Sequence, residues 1–439
     1  MKKLSLSKEY DLLLKQNNIC RLNSSDIWAY PNFPHQIVNN YGWKIHISAV
    51  LTNAIDIAQR FFNLNRKKCW DFKIIASISE LERLNLGYYG NSQVGKFITI
   101  YPKPQNVLET LEILHYYFHN EIGIAVGSDK SYKLNSNIYY RFGTLLSDIK
   151  NIDHRDKTLH PFKDAQKIPD YDLQHYHKLP SRYLILKVLK HLGPSGVFLG
   201  LDVKFMKKVI IRYACKYFNI ESSNIDEADR LLSSSNILNT NEILKDSGFE
   251  NIIDTFYLDN SVVIVTEFIE GESLDELAMS NKLSTLSLKE RLNIFNQILF
   301  LINKLNKLEI SFRDLSFSNV ILSQDKQAKI IDFNYAISKS GISCFAKNSI
   351  NPAGTYGFYN PYEQSIVEFP DRFSLAQFLY FLVYPDTYIS FMKNIDIDTS
   401  YSEIVSYLKK SNKKKKLPKD LLNTYSKLIH GKYIDKLNL

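Results

Sequence analysis

The segment from Ser311 to Ala336 constrains this chain more than any other. It reads S-F-R-D-L-S-F-S-N-V-I-L-S-Q-D-K-Q-A-K-I-I-D-F-N-Y-A, so an aspartate is followed five residues later by an asparagine and then, beyond two short apolar stretches, by Asp-Phe. Asp314 can accept the proton of an attacking hydroxyl, and Asn319 and Asp332 are oxygen ligands that suit magnesium. The segment therefore predicts phosphoryl transfer from a magnesium nucleotide.

The spacing of these residues resembles the catalytic loop and the magnesium loop of protein kinases. Two positions differ from the usual pattern. Phe312 replaces a histidine with a packing role, and Asn334 replaces a glycine where a positive φ can be needed. Asn tolerates positive φ better than most residues. Neither change removes a reacting group, so we favour a catalytic loop over a hairpin with two exposed acids.

A second region resembles the nucleotide-binding half of a kinase. Residues 183–211 resemble the start of an N-lobe, with a glycine loop whose spacing departs from G-x-G-x-x-G and also fits a simple hairpin turn. Residues 262–271 resemble the strand and hinge that hold an adenine ring through backbone hydrogen bonds. The candidate nucleotide-binding residues are Gly193, Gly196, Arg212, Glu267 and Ile269.

Three further kinase-like positions are less regular. Arg212 stands where V-A-I-K carries its lysine, and a guanidinium can still pair with phosphates although it is planar and longer. The sequence leaves two candidates, Glu227 and Glu242, for the acidic residue of the next helix that would pair with Arg212. Residues 354–363 resemble the end of an activation segment, and Asp371 matches the buried helix aspartate that ties down the catalytic loop. We expect Asp371 to be structural.

The N-terminal part of the chain carries a different pattern. Gly42 to Ala49 alternates, which predicts a strand with Lys44 and His46 on one face and apolar residues on the other. Phe72-Lys73-Ile74-Ile75 predicts a second strand with a lysine between apolar neighbours. A lysine beside a histidine on a strand makes a phosphate site with a proton donor.

This part resembles the lyase domain of class III lanthipeptide synthetases, which is in turn similar to phosphothreonine lyases. The blocks that carry the resemblance are G-W-K-I-H-I-S-A, F-K-I, R-L-N-L-G-Y-Y-G-N-S-Q-V-G-K-F-I-T-I-Y-P, S-D-K-S-Y and Y-R-F-G. Those enzymes join a phospho-Ser/Thr lyase, a kinase and usually a cyclase. The resemblance implies an α+β fold, with a phosphothreonine-lyase-like domain followed by a two-lobed protein-kinase-like domain.

Elimination of phosphate from phosphoserine requires a base, an acid and cations that screen the phosphate charge. Lys73 serves as the base if burial and neighbouring cations lower its pKa, with Lys96 the alternative, and His46 serves as the acid. The resemblance assigns the same roles to Lys73 and His46. The expected phosphate-binding residues are Lys44, Lys96 and Arg141, with Arg83, Tyr89 and Lys130 as weaker candidates.

Composition and length set the remaining expectations. The 439 residues predict two or three domains, and we divide them into a lyase domain (1–156), a linker (157–180) and a kinase domain (181–439). The net charge of +9 fits anionic substrates better than dedicated nucleic-acid binding. Four scattered cysteines indicate a reduced, cytoplasmic protein, and no run of residues predicts a membrane span.

We therefore expect an enzyme that dehydrates Ser and Thr of a ribosomal precursor peptide, with Mg²⁺ and ATP or another nucleoside triphosphate. Nothing after the kinase-like part could hold a zinc-binding cyclase, so ring closure is expected from a separate protein or from a domain outside this sequence. One alternative is a pseudokinase fused to a phosphopeptide-binding module. Another is a small-molecule phosphotransferase, which leaves the N-terminal domain unexplained.

Overall fold

The chain forms two compact units in a computed structural model. One unit comprises Met1–Phe198, Arg212–Ala228 and Tyr257–Val262, and the other comprises Leu199–Ile211, Asp229–Phe256 and Val263–Leu439. The structure describes residues 2–31, 41–133, 136–144, 179–220, 225–245, 248–258, 260–338, 354–355, 357–358, 371–394, 403, 406–407, 410, 416–430 and 432–437. The expected linker therefore lies outside the described residues except for 179 and 180, as do Tyr356 and 359–363 of the expected activation segment.

An antiparallel sheet of seven strands organises the N-terminal domain. The strand order is β1-β2-β4-β5-β3-β7-β6. The strands are β1 (Ile19–Cys20), β2 (Trp28–Pro31), β3 (Tyr41–Ile47), β4 (Asp71–Ile75), β5 (Ile98–Tyr101), β6 (Lys130–Ser131) and β7 (Ile138–Thr144). The predicted alternation in β3 is confirmed, because Trp43, Ile45 and Ile47 are buried in one hydrophobic core.

Four helices contribute to that core, namely α1 (Lys2–Gln16), α2 (Ala54–Lys68), α3 (Ile78–Asn85) and α4 (Val107–Phe118). Helix α2 has an acid in its first turn and three basic residues in its last turn, which suits the helix dipole. Its Phe61 packs edge-on against Phe72 of β4, with ring centroids 4.9 Å apart. Tyr10 of α1 donates a hydrogen bond to the Ile75 carbonyl, 2.7 Å away. The helices are thus tied to the apolar face of the sheet.

The C-terminal domain begins with a five-stranded sheet in the order β11-β12-β10-β9-β8. Its strands are β8 (Tyr183–His191), β9 (Ser195–Asp202), β10 (Lys207–Cys215), β11 (Ile252–Leu258) and β12 (Ser261–Glu267). Two small sheets follow in the order β13-β15-β16 and β14-β17, built from β13 (Gly271–Ser273), β14 (Ile310–Ser311), β15 (Val320–Ser323), β16 (Ala328–Ile330) and β17 (Ile337–Ser338).

Helices make up most of the remaining C-terminal domain. They are α5 (Glu227–Thr240), α6 (Leu274–Met279), α7 (Lys282–Thr285), α8 (Leu288–Lys307), α9 (Asp371–Val383), α10 (Pro385–Asn394) and α11 (Lys419–Ile429). Helix α8 starts with a capping box in which Ser287 and Glu290 satisfy each other's backbone N–H groups. Among the described residues, no helix has the length and apolar character needed to cross a membrane.

A dense aromatic cluster packs directly beneath the predicted catalytic loop. Phe317 is fully buried, and its ring centroid lies 4.7 Å from that of Phe378 and 4.5 Å from that of Tyr388. Phe317 stands between Asp314 and Asn319 in the sequence, so the positions of these two polar side chains depend on how well the aromatic core is filled.

Replacing Phe317 by alanine should leave a cavity in this cluster. We expect Phe317→Ala to lower the free energy of unfolding of the C-terminal domain by about 3–5 kcal/mol. Phe317→Leu should cost clearly less, since it fills more of the space. Urea denaturation followed by fluorescence checks both values. Equal stability of Phe317→Ala and the unchanged protein would contradict the packing described here.

Candidate active sites

The polar face of the N-terminal sheet gathers the residues that sequence reasoning singled out there. In the strand register, Lys44 pairs with Arg141, and His46 and Lys73 both pair with Thr99 from opposite sides. Directly paired residues of antiparallel strands point to the same face. Four strands therefore present these side chains together, opposite the face that packs on the helices.

A buried carboxylate that the sequence did not single out lies at the centre of this group. Asp129 Oδ2 is 3.1 Å from His46 Nε2, and Asp129 Oδ1 is 3.1 Å from Lys96 Nζ and 3.6 Å from Arg141 Nε. Burial alone would raise the pKa of Asp129, but His46, Lys96 and a hydrogen bond from Ser128 outweigh it and hold the pKa below its usual range. Asp129 is therefore an anion in this site.

Sequence reasoning missed Asp129 because its partners His46, Lys96 and Arg141 are distant from it in sequence. The signal that could have found it is the S-D-K-S-Y block itself, in which an acid stands within a domain otherwise rich in candidate cations. Buried cations require a paired anion.

Lys73 has the electrostatic surroundings expected of a base. Burial lowers its pKa, and Lys44, Lys96 and Arg141 lower it further, to about 7. A substantial fraction of its amine is therefore neutral near neutral pH. The Nζ atom lies 4.0 Å from the ring centroid of Trp28, over the ring face. Trp28, which sequence reasoning also missed, fixes the position of the amine by a cation–π contact.

His46, the expected acid, is buried on the same face of the sheet. Its Nδ1 lies 3.0 Å from the Thr99 hydroxyl oxygen. Burial lowers its pKa to about 3; Asp129 opposes this effect, while Lys96 and Arg141 add to it. The imidazole is therefore neutral in this state. A phosphate dianion bound among these groups would raise the His46 pKa, since a nearby negative charge favours the imidazolium.

The three weaker candidates lie in other surroundings. Arg83 and Tyr89 both contact Glu80, with Arg83 Nη1 at 3.9 Å from the Glu80 carboxylate and the Tyr89 hydroxyl in hydrogen-bond contact with it. Lys130 pairs in the strand register with Tyr140, whose side chain is buried in the core with Trp43. The register thus puts Lys130 on the core side of the edge strand.

In the C-terminal domain, Asp314 and Asn319 are in direct contact. Asn319 Nδ2 donates to the Asp314 side chain (2.9 Å) and to its backbone carbonyl (2.8 Å), and Thr355 Oγ1 donates to the other carboxylate oxygen (2.8 Å). Burial raises the Asp314 pKa despite these hydrogen bonds. A carboxylate that is desolvated and held in place is a better proton acceptor than one in water.

A second buried carboxylate holds the catalytic loop from below. Asp371 accepts hydrogen bonds from the backbone N–H groups of Phe312 (2.9 Å) and Arg313 (2.6 Å). Arg313 has a left-handed backbone conformation, with φ 71°, which these two bonds help to hold. Phe312 is fully buried and packs against the ring of Phe333, at 5.0 Å between centroids. Its packing role is as expected.

The metal-loop backbone differs from one expectation. The positive φ belongs to Asp332 (67°) and not to Asn334, which lies in the 3₁₀-helix Phe333–Tyr335. The Asp332 N–H donates to the Glu250 carboxylate, 2.8 Å away, and this bond helps to hold the strained residue. Asn334 is therefore tolerated in place of glycine because its own φ is ordinary.

The donor atoms at this loop fit a magnesium ion. Asn319 donates two hydrogen bonds through its amide nitrogen, and its amide oxygen accepts only a long one from Ser318 Oγ (3.5 Å), so this oxygen can bind a metal together with the Asp332 carboxylate. Oxygen donors of this kind, completed by phosphate oxygens and water, are the ligands that Mg²⁺ prefers.

The candidate nucleotide-binding residues occupy several elements. Gly193 has φ +81° in the turn between β8 and β9. A Cβ at Gly196 would lie 2.7 Å from the Tyr213 ring, so only glycine fits there. Arg212 is buried in β10. The Glu267 N–H is bonded to the Asn251 carbonyl, and the Glu267 carboxylate contacts Lys329 at 3.2 Å.

The catalytic loop with its metal loop defines a phosphotransferase of the protein-kinase type. Residues 197–432, more than half of the chain, match the protein kinase domain, and the chain belongs to this family. Residues 15–182 match the N-terminal domain of RamC. The N-terminal match covers both strands that carry Lys44, His46 and Lys73.

Several curated proteins are similar to parts of the chain. The serine/threonine-protein kinase PrkC of Bacillus subtilis is 27% identical over 173 residues, which is 39% of this chain and 26% of PrkC. A probable SapB synthase of Streptomyces coelicolor is 22% identical over 375 residues, 76% of this chain and 39% of that protein. The KEOPS complex subunit Bud32 of Pyrococcus abyssi is 31% identical over 159 residues, 34% of this chain and 67% of that protein. The chain thus spans about a quarter of the length of PrkC and about two-fifths of the length of the probable SapB synthase.

The low pKa of Lys73 can be measured without assuming any activity. After reductive ¹³C-methylation of the full chain, the Lys73 signal, identified by its absence in Lys73→Arg, should titrate near pH 7. Lys44→Met should move this midpoint upward, because it removes a positive charge that opposes protonation. Lys133→Met, which removes a lysine paired with Glu112, is the control and should leave it unchanged. A Lys73 midpoint near 10 would show that the described environment is wrong.

Proposed function

We propose that this chain dehydrates serine and threonine residues of a ribosomally made precursor peptide in two steps. The kinase domain phosphorylates the hydroxyl, and the N-terminal domain then eliminates phosphate to leave dehydroalanine or dehydrobutyrine. The observation that carries the proposal is Lys73. Its pKa is lowered to about 7, and its Nζ lies over the face of the Trp28 ring. Such a lysine can act as a general base on a substrate held in the cationic pocket beside it.

In the first step, Asp314 accepts the proton of the attacking Ser or Thr hydroxyl. Its carboxylate is oriented by Asn319 and Thr355, so one proton acceptor faces the substrate in a fixed position. Asn319 and Asp332 would hold magnesium, which neutralises charge on the transferred phosphoryl group when bound. ATP or another nucleoside triphosphate would be the donor. Because the Glu267 N–H is used internally, adenine recognition would fall to the Glu267 carbonyl and the Ile269 N–H.

In the second step, the neutral amine of Lys73 removes the α-proton of the phosphorylated residue. The electron pair of that C–H bond forms the Cα=Cβ double bond, and the Cβ–O bond to phosphate breaks. Lys44, Lys96 and Arg141 stabilise the negative charge that builds up on the leaving phosphate. His46 donates a proton to the leaving oxygen, and Lys73 leaves the step as an ammonium.

Binding of the substrate phosphate would protonate His46, so that it can donate a proton. Without an anion, burial keeps the imidazole neutral. A bound phosphate dianion adds a second negative charge beside Asp129, so the pair favours the imidazolium that donates the proton. Protonation of the acid is therefore coupled to the arrival of the substrate, while Lys44, Lys96 and Arg141 continue to oppose protonation of Lys73.

The peptide nature of the substrate is supported by two features. The kinase domain has similarity to serine/threonine-protein kinases, and the similarity to a probable SapB synthase runs across three-quarters of the chain. We therefore assign the chain to the lyase and kinase part of class III lanthipeptide synthetases. Joining both activities in one chain raises the effective concentration of phosphopeptide for the second step.

The alternative of a pseudokinase joined to a phosphopeptide reader rests on Arg212 in place of lysine. A reader needs neither a proton acceptor nor two metal ligands, whereas Asp314, Asn319 and Asp332 are all present and Asp314 is oriented by two hydrogen bonds. A thermal-shift measurement separates these functions. Stabilisation by nucleotide that requires magnesium supports the kinase, and equal stabilisation without magnesium supports the reader.

Substitutions in the kinase site and in the N-terminal site should block different steps. Asp314→Asn should lower phosphorylation of a Ser/Thr-rich test peptide by about 10²–10⁴-fold and abolish dehydration with it. Lys73→Ala should leave phosphorylation intact, so phosphopeptide accumulates, which mass spectrometry detects as an addition of phosphate rather than a loss of water. Lys133→Ala serves as the control for lysine removal. Full dehydration by Lys73→Ala would disprove the role of Lys73.

Elimination should depend on pH through Lys73. With a synthetic phosphoserine peptide at saturating concentration, kcat should rise with pH and then level off, with a midpoint at or above about 7, because only the deprotonated amine of Lys73 accepts the proton and the bound phosphate favours the ammonium. Trp28→Leu should move this limb to lower pH, since the indole face favours the charged amine, and Trp28→Phe should move it less. A profile that falls across the same range would contradict lysine as the base.

A further inference from the structure

A cavity on the kinase domain contains none of the residues proposed to react or to hold metal, although Glu267 and Ile269, whose backbone is proposed above to hold adenine, are among its lining residues. Its volume is about 730 Å³, within the range of ligand-binding pockets. It lies between the chain segment 267–270, helix α8 and the β15–β16 hairpin. Asp314, Asn319 and Asp332 are not among its lining residues. We call this cavity the hinge groove.

The hinge groove combines apolar surface with negative charge. Phe268, Ile269, Leu301 and Ala328 line it together with Phe300, which is 65% exposed on α8. Its charged lining residues are three carboxylates, Glu267, Glu270 and Asp325, and one ammonium, Lys329. The groove therefore carries net negative charge, whereas the whole chain carries a net charge of +9. The groove is thus an acidic site on a basic protein.

The walls of the hinge groove are fixed by internal contacts. Gln297 of α8 accepts a hydrogen bond from the Ala328 N–H (2.8 Å) and donates to the Lys326 carbonyl (3.1 Å), which ties the hairpin to the helix. An ion pair 3.2 Å long joins two of the lining residues, Lys329 and Glu267. A groove that exists before its ligand arrives loses little entropy on binding.

We propose that the hinge groove docks a segment of the precursor peptide in which one or two lysines or arginines stand beside a large apolar residue. The proposal rests on the proposed function, since it names how the peptide substrate is held. The basic residues would lie against Glu270 and Asp325, and the apolar side chain would pack on Phe300 and Leu301. Charge complementarity sets the partner, because an acidic peptide would be repelled here.

Such docking acts at a distance from the reacting hydroxyl. Contacts in the groove are the same in the enzyme–substrate complex and in the transition state, so they lower KM and leave kcat unchanged. The same groove would therefore serve many Ser and Thr acceptors that follow one docking segment.

The experiment uses the full chain and a phage library of random twelve-residue peptides, with peptide affinity then measured by fluorescence anisotropy. The groove variant is Glu270→Lys with Asp325→Lys and Phe300→Ser, three exposed positions where folding should be retained. The matched control carries Glu242→Lys, Asp420→Lys and Leu422→Ser, also exposed, elsewhere on the same domain. We expect selected peptides to combine basic and apolar residues and to bind the groove variant at least about tenfold more weakly, with no change in the control.

A second measurement follows catalysis. Fusing a selected peptide to a Ser/Thr acceptor should lower KM for phosphorylation about tenfold with kcat unchanged, and this gain should disappear in the groove variant only. An acidic consensus, no enriched peptide, or equal binding by the groove variant would overturn the proposal. Because anisotropy needs no turnover, failure of docking is distinguished from failure of the proposed function, which would appear as absent phosphorylation of the unfused acceptor.

Discussion

The contact between Asp129 and its cations is the interaction on which the N-terminal site depends. Buried charges are costly unless they are paired, and the cations Lys96 and Arg141 approach this one carboxylate inside a domain core, beside the neutral imidazole of His46. The carboxylate offsets part of this positive charge. Burial, together with the positive charges of Lys44, Lys96 and Arg141, lowers the pKa of Lys73 to about 7. The phosphate group of the proposed substrate would therefore meet a pocket that is already assembled and still short of negative charge.

In both domains, buried carboxylates hold the site residues in position, although the surrounding backbone differs. On the N-terminal sheet the reacting side chains sit on paired strands, and the anion that organises them comes from a neighbouring loop. In the kinase domain the reacting side chains sit on loops, and the buried carboxylates of Asp371 and Glu250 hold the backbone N–H groups of those loops. The first arrangement gains rigidity from the ladder of the sheet. The second gains it from charge-assisted hydrogen bonds to buried carboxylates.

Local patterns were enough to predict the strands that carry the N-terminal site. The alternation around Lys44 and His46 and the apolar neighbours of Lys73 reflect one buried face of the sheet, which a short stretch of sequence records. Asp129 and Trp28 were missed because their roles arise from strands and loops distant in sequence. The backbone angle of Asp332 was assigned to Asn334 for a related reason, since it depends on the contact with Glu250, 82 residues away. The roles of the individual site residues remain predictions.

The ring of Phe333 has a consequence for control of the enzyme. It is fully buried between Phe249, at 5.6 Å between centroids, and Phe312, at 5.0 Å. Swinging this residue out, together with the aspartate before it, would empty a space the size of a benzyl group and break the Glu250 bond. Such a vacancy would cost several kcal/mol. The packing of Phe333 and the hydrogen bond to Glu250 therefore favour a single position of the loop that carries Asp332.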